Sequence, residues 1–108
     1  MKRGSLVSAI LPGDMGKPRP AIVLMETALI AISSRLVIVP LTSTLQDASF
    51  IRVTIYPSAA NGLKVASQAM IDRMTSLNRD KVGHLIGELE QDRFDEMLSF
   101  VLVMMGAK

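Results

Sequence analysis

Arg19 stands between Pro18 and Pro20 and is the residue in this chain whose chemistry is most sharply defined by its neighbours. A guanidinium is permanently charged, and it presents its N–H donors in a planar fork that matches the oxygens of a phosphate. The two prolines restrict the backbone to extended conformations, so we expect Arg19 to project from a stiff loop over residues 14–20. The pattern indicates an anion-binding arginine, and the alternative is a surface arginine that only stabilises a strand entrance.

Two further polar groups follow apolar runs and are candidates for the same chemistry. Thr42, Ser43 and Thr44 come after one run, where a hydroxyl either contacts a phosphate or ribose or caps a turn through the backbone. Asp72 and Arg73 come after another run. This second pair suits acid–base work or phosphate binding, although exposed ion pairs of this kind also occur without any function.

The residue types that the chain lacks exclude several classes of enzyme. It has no cysteine and a single histidine, His84. Thiolate nucleophiles, disulfides, sulfur-based zinc sites and paired-imidazole catalysis are therefore excluded, and we expect neither a metal nor a cofactor. The sequence contains no GxxxxGK[ST] phosphate loop. His84 has no partner at ligand spacing, so the sequence predicts a structural rather than a catalytic histidine.

The length of 108 residues and the hydrophobic fraction of 49% predict one globular domain over residues 1–108. Residues 1–84 hold 10 Lys/Arg and 5 Asp/Glu, whereas residues 85–108 hold 2 and 5. A basic body fits a polyanionic or acidic partner. With 3 Phe, 1 Tyr and no Trp, the chain would hold a nucleic acid mainly by charge and hydrogen bonds. No run has the length of a membrane span or of a secretion signal, so we expect a soluble cytoplasmic protein without membrane contact.

Apolar patterning predicts a mainly β protein. The segments with strand-like composition are residues 5–11, 21–25, 36–41, 50–56, 63–71 (as one strand or a pair) and 82–89. Continuous apolar runs at 21–25 and 36–41 indicate strands that are buried on both faces or line a barrel. Residues 26–35 fit either a poor helix or a hairpin connection, and Asn78 is placed to begin a one-turn helix.

The period changes after Glu90, where apolar residues recur at three- and four-residue spacing up to Gly106. The residues on this face are Phe94, Met97, Leu98, Val101, Leu102 and Met105. They predict an amphipathic C-terminal helix. Because Phe100, Val103 and Met104 lie off that face, the helix end is apolar nearly all round, and we expect part of it to form a two-fold homodimer interface.

The polar groups and the strands that carry them occur in the order of a known family. The matching segments are KRG at 2–4, PG at 12–13, GKPRPAIV at 16–23, VPLTS at 39–43 and AMIDRMTSL at 69–77. On these segments the chain resembles the MazF/PemK toxins of type II toxin–antitoxin systems over nearly its full length. The resemblance implies an SH3-like antiparallel β barrel with a C-terminal helix, of the MazF/CcdB/Kid type.

The same resemblance implies a toxin that acts as a metal-independent, sequence-specific endoribonuclease on single-stranded RNA (mRNA). The ribose 2′-hydroxyl attacks the adjacent phosphate, which leaves a 2′,3′-cyclic phosphate and a 5′-hydroxyl. The implied partners are this RNA, a cognate antitoxin protein and a second copy of the chain, with operator DNA contacted only through the antitoxin complex.

The resemblance also implies the catalytic residues: Arg19 matches the family's catalytic arginine, Thr42 matches the hydroxyl residue after the buried central strand, and Asp72 matches an acidic position found in some members. The residues expected to contact RNA around them are Lys17, Ser43, Thr44 and Arg73, with loops 44–49 and 59–63 expected to read its sequence. The first loop lacks the His or Glu found in members with a longer loop. The general base therefore stays open between Asp72, Asp14 and the substrate itself.

Two other functions are compatible with this fold. A CcdB-like DNA gyrase poison would bind its target without chemistry, and an SH3-like interaction module would bind proline-rich ligands in an aromatic-lined groove. Arg19 together with Thr42 favours RNA cleavage, because CcdB-like chains lack this pair and act through aromatic and small residues at the helix end. The low aromatic content argues against the interaction module.

Overall fold

A computed structural model describes residues 1–47 and 51–107 of the chain. Its strands are β1 (Ser5–Ile10), β2 (Pro18–Val23), β3 (Arg35–Thr42), β4 (Arg52–Ile55), β5 (Ser67–Met70), β6 (Thr75–Asn78) and β7 (Val82–Glu88). Its α-helices are α1 (Thr27–Ile30) and α2 (Gln91–Met104), and one-turn 3-10 helices span Ile71–Arg73 and Arg79–Lys81. The expected fold class, mainly antiparallel β with a C-terminal helix, is confirmed.

The strands pair in the order β4-β5-β3-β2-β1-β7, and β6 pairs with the first half of β3 while β5 pairs with its end. In the β2–β3 ladder Ala21 lies opposite Pro40. Because the pairing is antiparallel, the register continued by two residues places Arg19 beside Thr42. The start of β2 and the end of β3 therefore bring these two residues to one edge of the sheet.

Apolar side chains cover both faces of the central strands, which explains their continuous apolar runs. One cluster packs against α2 and includes Leu6, Ile22, Val39, Leu41, Phe94, Met97 and Val101. The other cluster packs against α1 and includes Val7, Ala21, Val23, Ile30, Leu36, Ile38 and Leu77. The expectation of strands buried on both faces is thus confirmed, and this double burial fixes the register that aligns Arg19 with Thr42.

Three elements differ from the sequence expectations. Arg19 lies in β2 and not in a loop: β2 pairs with β3 only from Ala21 onward, so its first half tolerates prolines. Within 63–71 only Ser67–Met70 forms a strand. The strand Thr75–Asn78 was not expected, because Leu77 is its one apolar residue. The expected strand 50–56 appears as Arg52–Ile55. Residues 48–50 lie outside the described residues, and they include the last two residues of the loop 44–49 and the first residue of that expected strand.

The expected C-terminal helix is confirmed as α2, whose buried residues are Phe94, Met97 and Val101. Met105 was expected on the buried face but is 65% exposed, because it follows the last helical residue. Val103 is 48% exposed. Within the described ranges, no helix has the length and apolar character needed to cross a membrane.

Candidate active site

The loop between β1 and β2 folds back over the start of β2. The Asp14 N–H donates to the Leu11 carbonyl at 3.2 Å, and the Lys17 N–H donates to the Asp14 carbonyl at 3.0 Å. Gly13 and Gly16 have φ angles of 86° and 79°, which a side chain would disfavour, and Met15 between them has a φ of 55°. The tight turn directs the Asp14 carboxylate toward the Arg19 side chain.

Arg19 and Asp14 form a two-pronged ion pair. Arg19 Nε donates to Asp14 Oδ2 at 2.8 Å, and Nη2 donates to Oδ1 at 3.0 Å. Arg19 Nη1 lies 3.5 Å from the Leu41 carbonyl oxygen, a long contact at the end of β3. Asp14 therefore occupies the edge of the guanidinium formed by Nε and Nη2. Because a guanidinium has five N–H donors, the edge formed by Nη1 and Nη2 is left for a ligand.

Thr42 ends β3 beside this arginine, and its hydroxyl has a local partner. Thr42 Oγ1 accepts a hydrogen bond from the Thr44 N–H at 3.1 Å, which is the turn-capping role that hydroxyls play at strand ends. The hydroxyl proton of Thr42 is not used in that bond, so it is available as a donor. Ser43 and Thr44 are exposed on the same turn.

Gln68 holds the chain that follows this turn. It lies opposite Thr42 in the β3–β5 ladder and is buried. Its Oε1 accepts from the Gln46 N–H at 2.9 Å, and its Nε2 donates to the Gln46 carbonyl at 2.8 Å. Both ends of one side chain amide thus bind one backbone residue. No sequence pattern predicts this role, because a buried glutamine is recognisable only from its tertiary partners.

These residues surround a groove of about 450 Å³, which we call the arginine groove. Its lining residues are Asp14, Lys17, Pro18, Arg19, Pro20, Leu41, Thr42, Ser43, Thr44, Val65 and Ser67. Five of the seven residues proposed from the sequence therefore meet in one place: Lys17, Arg19, Thr42, Ser43 and Thr44. Two cations and several hydroxyls around an open groove can bind an anion such as a phosphodiester.

Asp72 and Arg73 do not line this groove. Both are exposed on the 3-10 helix after β5, four and five residues beyond Gln68, which is the residue opposite Thr42. Neither forms an ion pair within the described part of the chain. Their catalytic and RNA-binding roles stay predictions from the sequence, and the carboxylate that contacts Arg19 is that of Asp14.

One wall of the groove comes from the loop between β4 and β5, which is anchored by Asn61. This side chain is fully buried and makes four hydrogen bonds. One of them reaches Glu90 Oε1 at 3.2 Å, and Ser58 Oγ donates to Glu90 Oε2 at 2.6 Å. The hydrogen bond from Ser58, supported by the one from Asn61, lowers the pKa of Glu90 below its ordinary value. The network fixes the loop that carries Val65 to the groove.

Comparison with known proteins identifies the family. Residues 2–105 match the family described as PemK-like, MazF-like toxin of type II toxin-antitoxin system. The probable endoribonuclease MazF of Mycolicibacterium smegmatis is 33% identical over 107 residues, which are 98% of this chain and 97% of that protein.

Solved structures give the same result for the fold. The toxin MazF-mt6 of Mycobacterium tuberculosis superposes with a TM-score of 0.83 at 19% identity, covering 96% of this chain and 98% of that one. An endoribonuclease in complex with its cognate antitoxin from a mycobacterial species superposes with a TM-score of 0.81 at 19% identity, covering 100% and 97%. The comparisons do not favour the CcdB-like alternative. With a family match that spans 2–105 and a relative of 33% identity, the chain belongs to the PemK-like, MazF-like toxins of type II toxin–antitoxin systems.

Proposed function

We propose that this toxin is an endoribonuclease that cleaves single-stranded RNA in the arginine groove without a metal ion. The observation that carries the proposal is the pairing of Arg19 with Asp14, which leaves the Nη1–Nη2 edge of the guanidinium for a phosphate next to Thr42. The 33% identical relative named a probable endoribonuclease supports the same conclusion.

The proposed reaction is a transesterification within the RNA. The 2′-oxygen bonds to the adjacent phosphorus, the bond from phosphorus to the 5′-oxygen breaks, and the products carry a 2′,3′-cyclic phosphate and a 5′-hydroxyl. One proton leaves the 2′-hydroxyl and one reaches the 5′-oxygen. Negative charge grows on the non-bridging oxygens, and Arg19 stabilises it through two parallel N–H donors. Thr42 donates its hydroxyl proton to one of these oxygens and orients the phosphate.

Asp14 acts in this scheme as a positioning residue. Both of its oxygens accept hydrogen bonds from Arg19, so it fixes the plane of the guanidinium and the direction of the edge that faces the groove. Lys17, Ser43 and Thr44 bind the RNA backbone at the groove rim. An arginine is too basic to accept a proton near pH 7, so the proton of the 2′-hydroxyl passes to a carboxylate or to the substrate itself.

The proposed partners follow from the same surfaces. An acidic antitoxin segment would compete with RNA for Lys17 and Arg19, and a structure of similar fold is itself a complex with a cognate antitoxin. We also propose a cytoplasmic homodimer, formed in part by the exposed end of α2, where Val103, Met104 and Met105 are 48%, 37% and 65% exposed. Operator DNA would be contacted only through the antitoxin complex.

The test is an arginine substitution with a matched control. Arg19→Ala is expected to fold and to lose at least 10²-fold in the rate of RNA cleavage, since a single donor to a growing oxyanion contributes on the order of 10²–10³. Arg19→Lys should recover little, because an ammonium cannot replace two parallel donors.

Arg35→Ala is the control. Arg35 is also an arginine bound by polar neighbours, to Ser76 and Asn78, but it lies at the start of β3, away from the groove. Its loss should leave cleavage unchanged. Cleavage by folded Arg19→Ala at the wild-type rate would refute the proposed function.

A further inference from the structure

A second groove of about 400 Å³ adjoins the arginine groove, and we call it the histidine groove. Its lining residues are Pro20, Gly62, Leu63, Lys64, Val65, Ser67, His84, Leu85 and Ile86. Pro20, Val65 and Ser67 line both grooves, so the two are separated only by a shared ridge. A chain-like ligand bound beside Arg19 can therefore continue across Pro20 and Val65 without leaving the protein surface.

The walls of the histidine groove are apolar and open to solvent. Val65 and Leu85 are 56% and 53% exposed, so their aliphatic side chains are accessible to a ligand in this groove. Gly62 permits the tight loop that forms one wall, since its φ is 71° and an added Cβ would overlap the Ile86 carbonyl. Exposed aliphatic side chains that line a groove suit the face of a planar ring.

Three polar side chains line this groove, Lys64, Ser67 and His84. Ser67 is buried and its hydroxyl donates to the Val65 carbonyl at 3.1 Å, which leaves Lys64 and His84 as the exposed polar groups. His84 Nδ1 lies 3.3 Å from Ser8 Oγ, which orients the imidazole ring. Within the described residues His84 Nε2 has no hydrogen-bond partner, so it is the ring nitrogen that can meet a ligand. Lys64 is exposed and adds a positive charge, which complements a phosphate that follows the bound ring.

On these observations, and resting on the proposed function, we propose that the histidine groove binds the base of a nucleotide adjacent to the scissile phosphate. Leu85 and Val65 would contact the face of the base, and His84 Nε2 would bond to its edge. Lys64 would contact the next phosphate of the same strand. The groove would thus make the cleavage depend on the identity of one base, since an edge contact distinguishes bases whereas a phosphate contact does not.

The test uses the full-length protein and an RNA pool randomised around one cleavable region, with the 5′ ends of the products mapped. Wild type is expected to prefer one base at a fixed position next to the cut. His84→Ala should reduce that preference about 10-fold, which corresponds to loss of one edge hydrogen bond. It should leave the preferences at other positions unchanged.

Lys64→Ala serves as the second variant and Lys81→Ala as its matched control. Lys81 is an exposed lysine that lines neither groove. Lys64→Ala should weaken RNA binding equally for all sequences and lower the dependence of log K on log salt by about 0.7, as for one lost contact to a single strand. Lys81→Ala should change neither quantity.

The outcomes separate this inference from the proposed function. If wild type cleaves RNA and His84→Ala keeps the full base preference, the inference is wrong and the proposed function stands. If His84→Ala instead changes the sedimentation of the free protein with no change in preference, the groove contacts a second copy of the chain and the inference is again wrong. If wild type cleaves no RNA, the proposed function fails, and the inference that depends on it fails too.

Discussion

Replacing Asn61 by alanine should destabilise this protein more than almost any other single polar substitution. Asn61 Oδ1 accepts from the Ser58 and Leu63 N–H groups at 3.0 Å each. Its Nδ2 donates to the Tyr56 carbonyl at 2.9 Å and to Glu90 Oε1 at 3.2 Å. Every donor and acceptor of the Asn61 side chain amide is therefore satisfied. Alanine would remove all four of these hydrogen bonds and leave each partner group without its bond to residue 61.

The size of the effect follows from these bonds. Three join neutral backbone groups and contribute about 1 kcal/mol each, with more lost where the partner stays buried. The fourth reaches a carboxylate that is partly exposed and can regain water, so it adds about 1 kcal/mol rather than the larger value of a buried charge. We expect a loss of about 4 kcal/mol from a total of roughly 5–15 kcal/mol for a domain of this size.

Urea unfolding measures this loss directly. With a slope of about 2 kcal/mol per molar urea, the midpoint should fall by about 2 M at unchanged slope. The comparison is made at one protein concentration, since the stability of a dimer depends on it.

Asn78→Ala is the matched control, because Asn78 is exposed and makes a single side chain bond, from Arg35 Nη1. It should cost less than about 1 kcal/mol. A loss below 1 kcal/mol for Asn61→Ala as well would refute the account of the loop as a structure held by its buried amide.

Three further substitutions test separate parts of the structure. Thr42→Val should slow RNA cleavage by about 10²-fold, as for loss of one donor to developing charge, whereas Thr42→Ser keeps the hydroxyl and should retain most of the rate; wild-type cleavage by the valine variant would transfer the role to Ser43. Glu90→Gln should destabilise the protein at pH 7 and by less at pH 3. The pKa of Glu90 is lower in the folded state than in the unfolded state. The stabilisation that ionised Glu90 provides is therefore present above its unfolded-state pKa of about 4.3 and is lost as the pH falls through its folded-state pKa. Equal urea midpoint differences at the two pH values would contradict that assignment. Met104→Asp should shift sedimentation toward the monomer at micromolar concentration while Arg19 stays in place, and unchanged sedimentation would place the dimer contact elsewhere.

The central part of the fold was predictable from the sequence, because strands that are buried on both faces have continuous apolar runs. The apolar runs at 21–25 and 36–41 and the periodic helix after Glu90 each depend on local composition, and each appears in the structure as β2, β3 and α2. The strand Thr75–Asn78 was missed because its pairing comes from β3 and not from its own residues. The sequence predicts a loop at Arg19 because prolines usually interrupt strands, and only the register shows that the β2–β3 ladder begins at Ala21.

The candidate site was predictable in its residue types and not in its contacts. Arg19 and Thr42 could be named from chemistry, yet their meeting depends on an antiparallel register that spacing alone does not give. The contact between Arg19 and Asp14 was not predicted, because it depends on a turn containing three residues with positive φ. Gln68 and Asn61 carry no local signal, since a buried amide is defined by backbone partners distant in sequence.

The most direct test of the central claim is cleavage of one RNA with a single 2′-deoxy nucleotide on the 5′ side of a mapped cut, assayed in excess EDTA. The attacking oxygen is missing at that bond alone. We predict that wild-type protein leaves this bond intact and still cuts the all-ribose control in EDTA, with a 2′,3′-cyclic phosphate and a 5′-hydroxyl at the new ends. Cleavage of the deoxy-containing bond at the control rate, or activity abolished by EDTA and restored by magnesium, would contradict the account of the arginine groove.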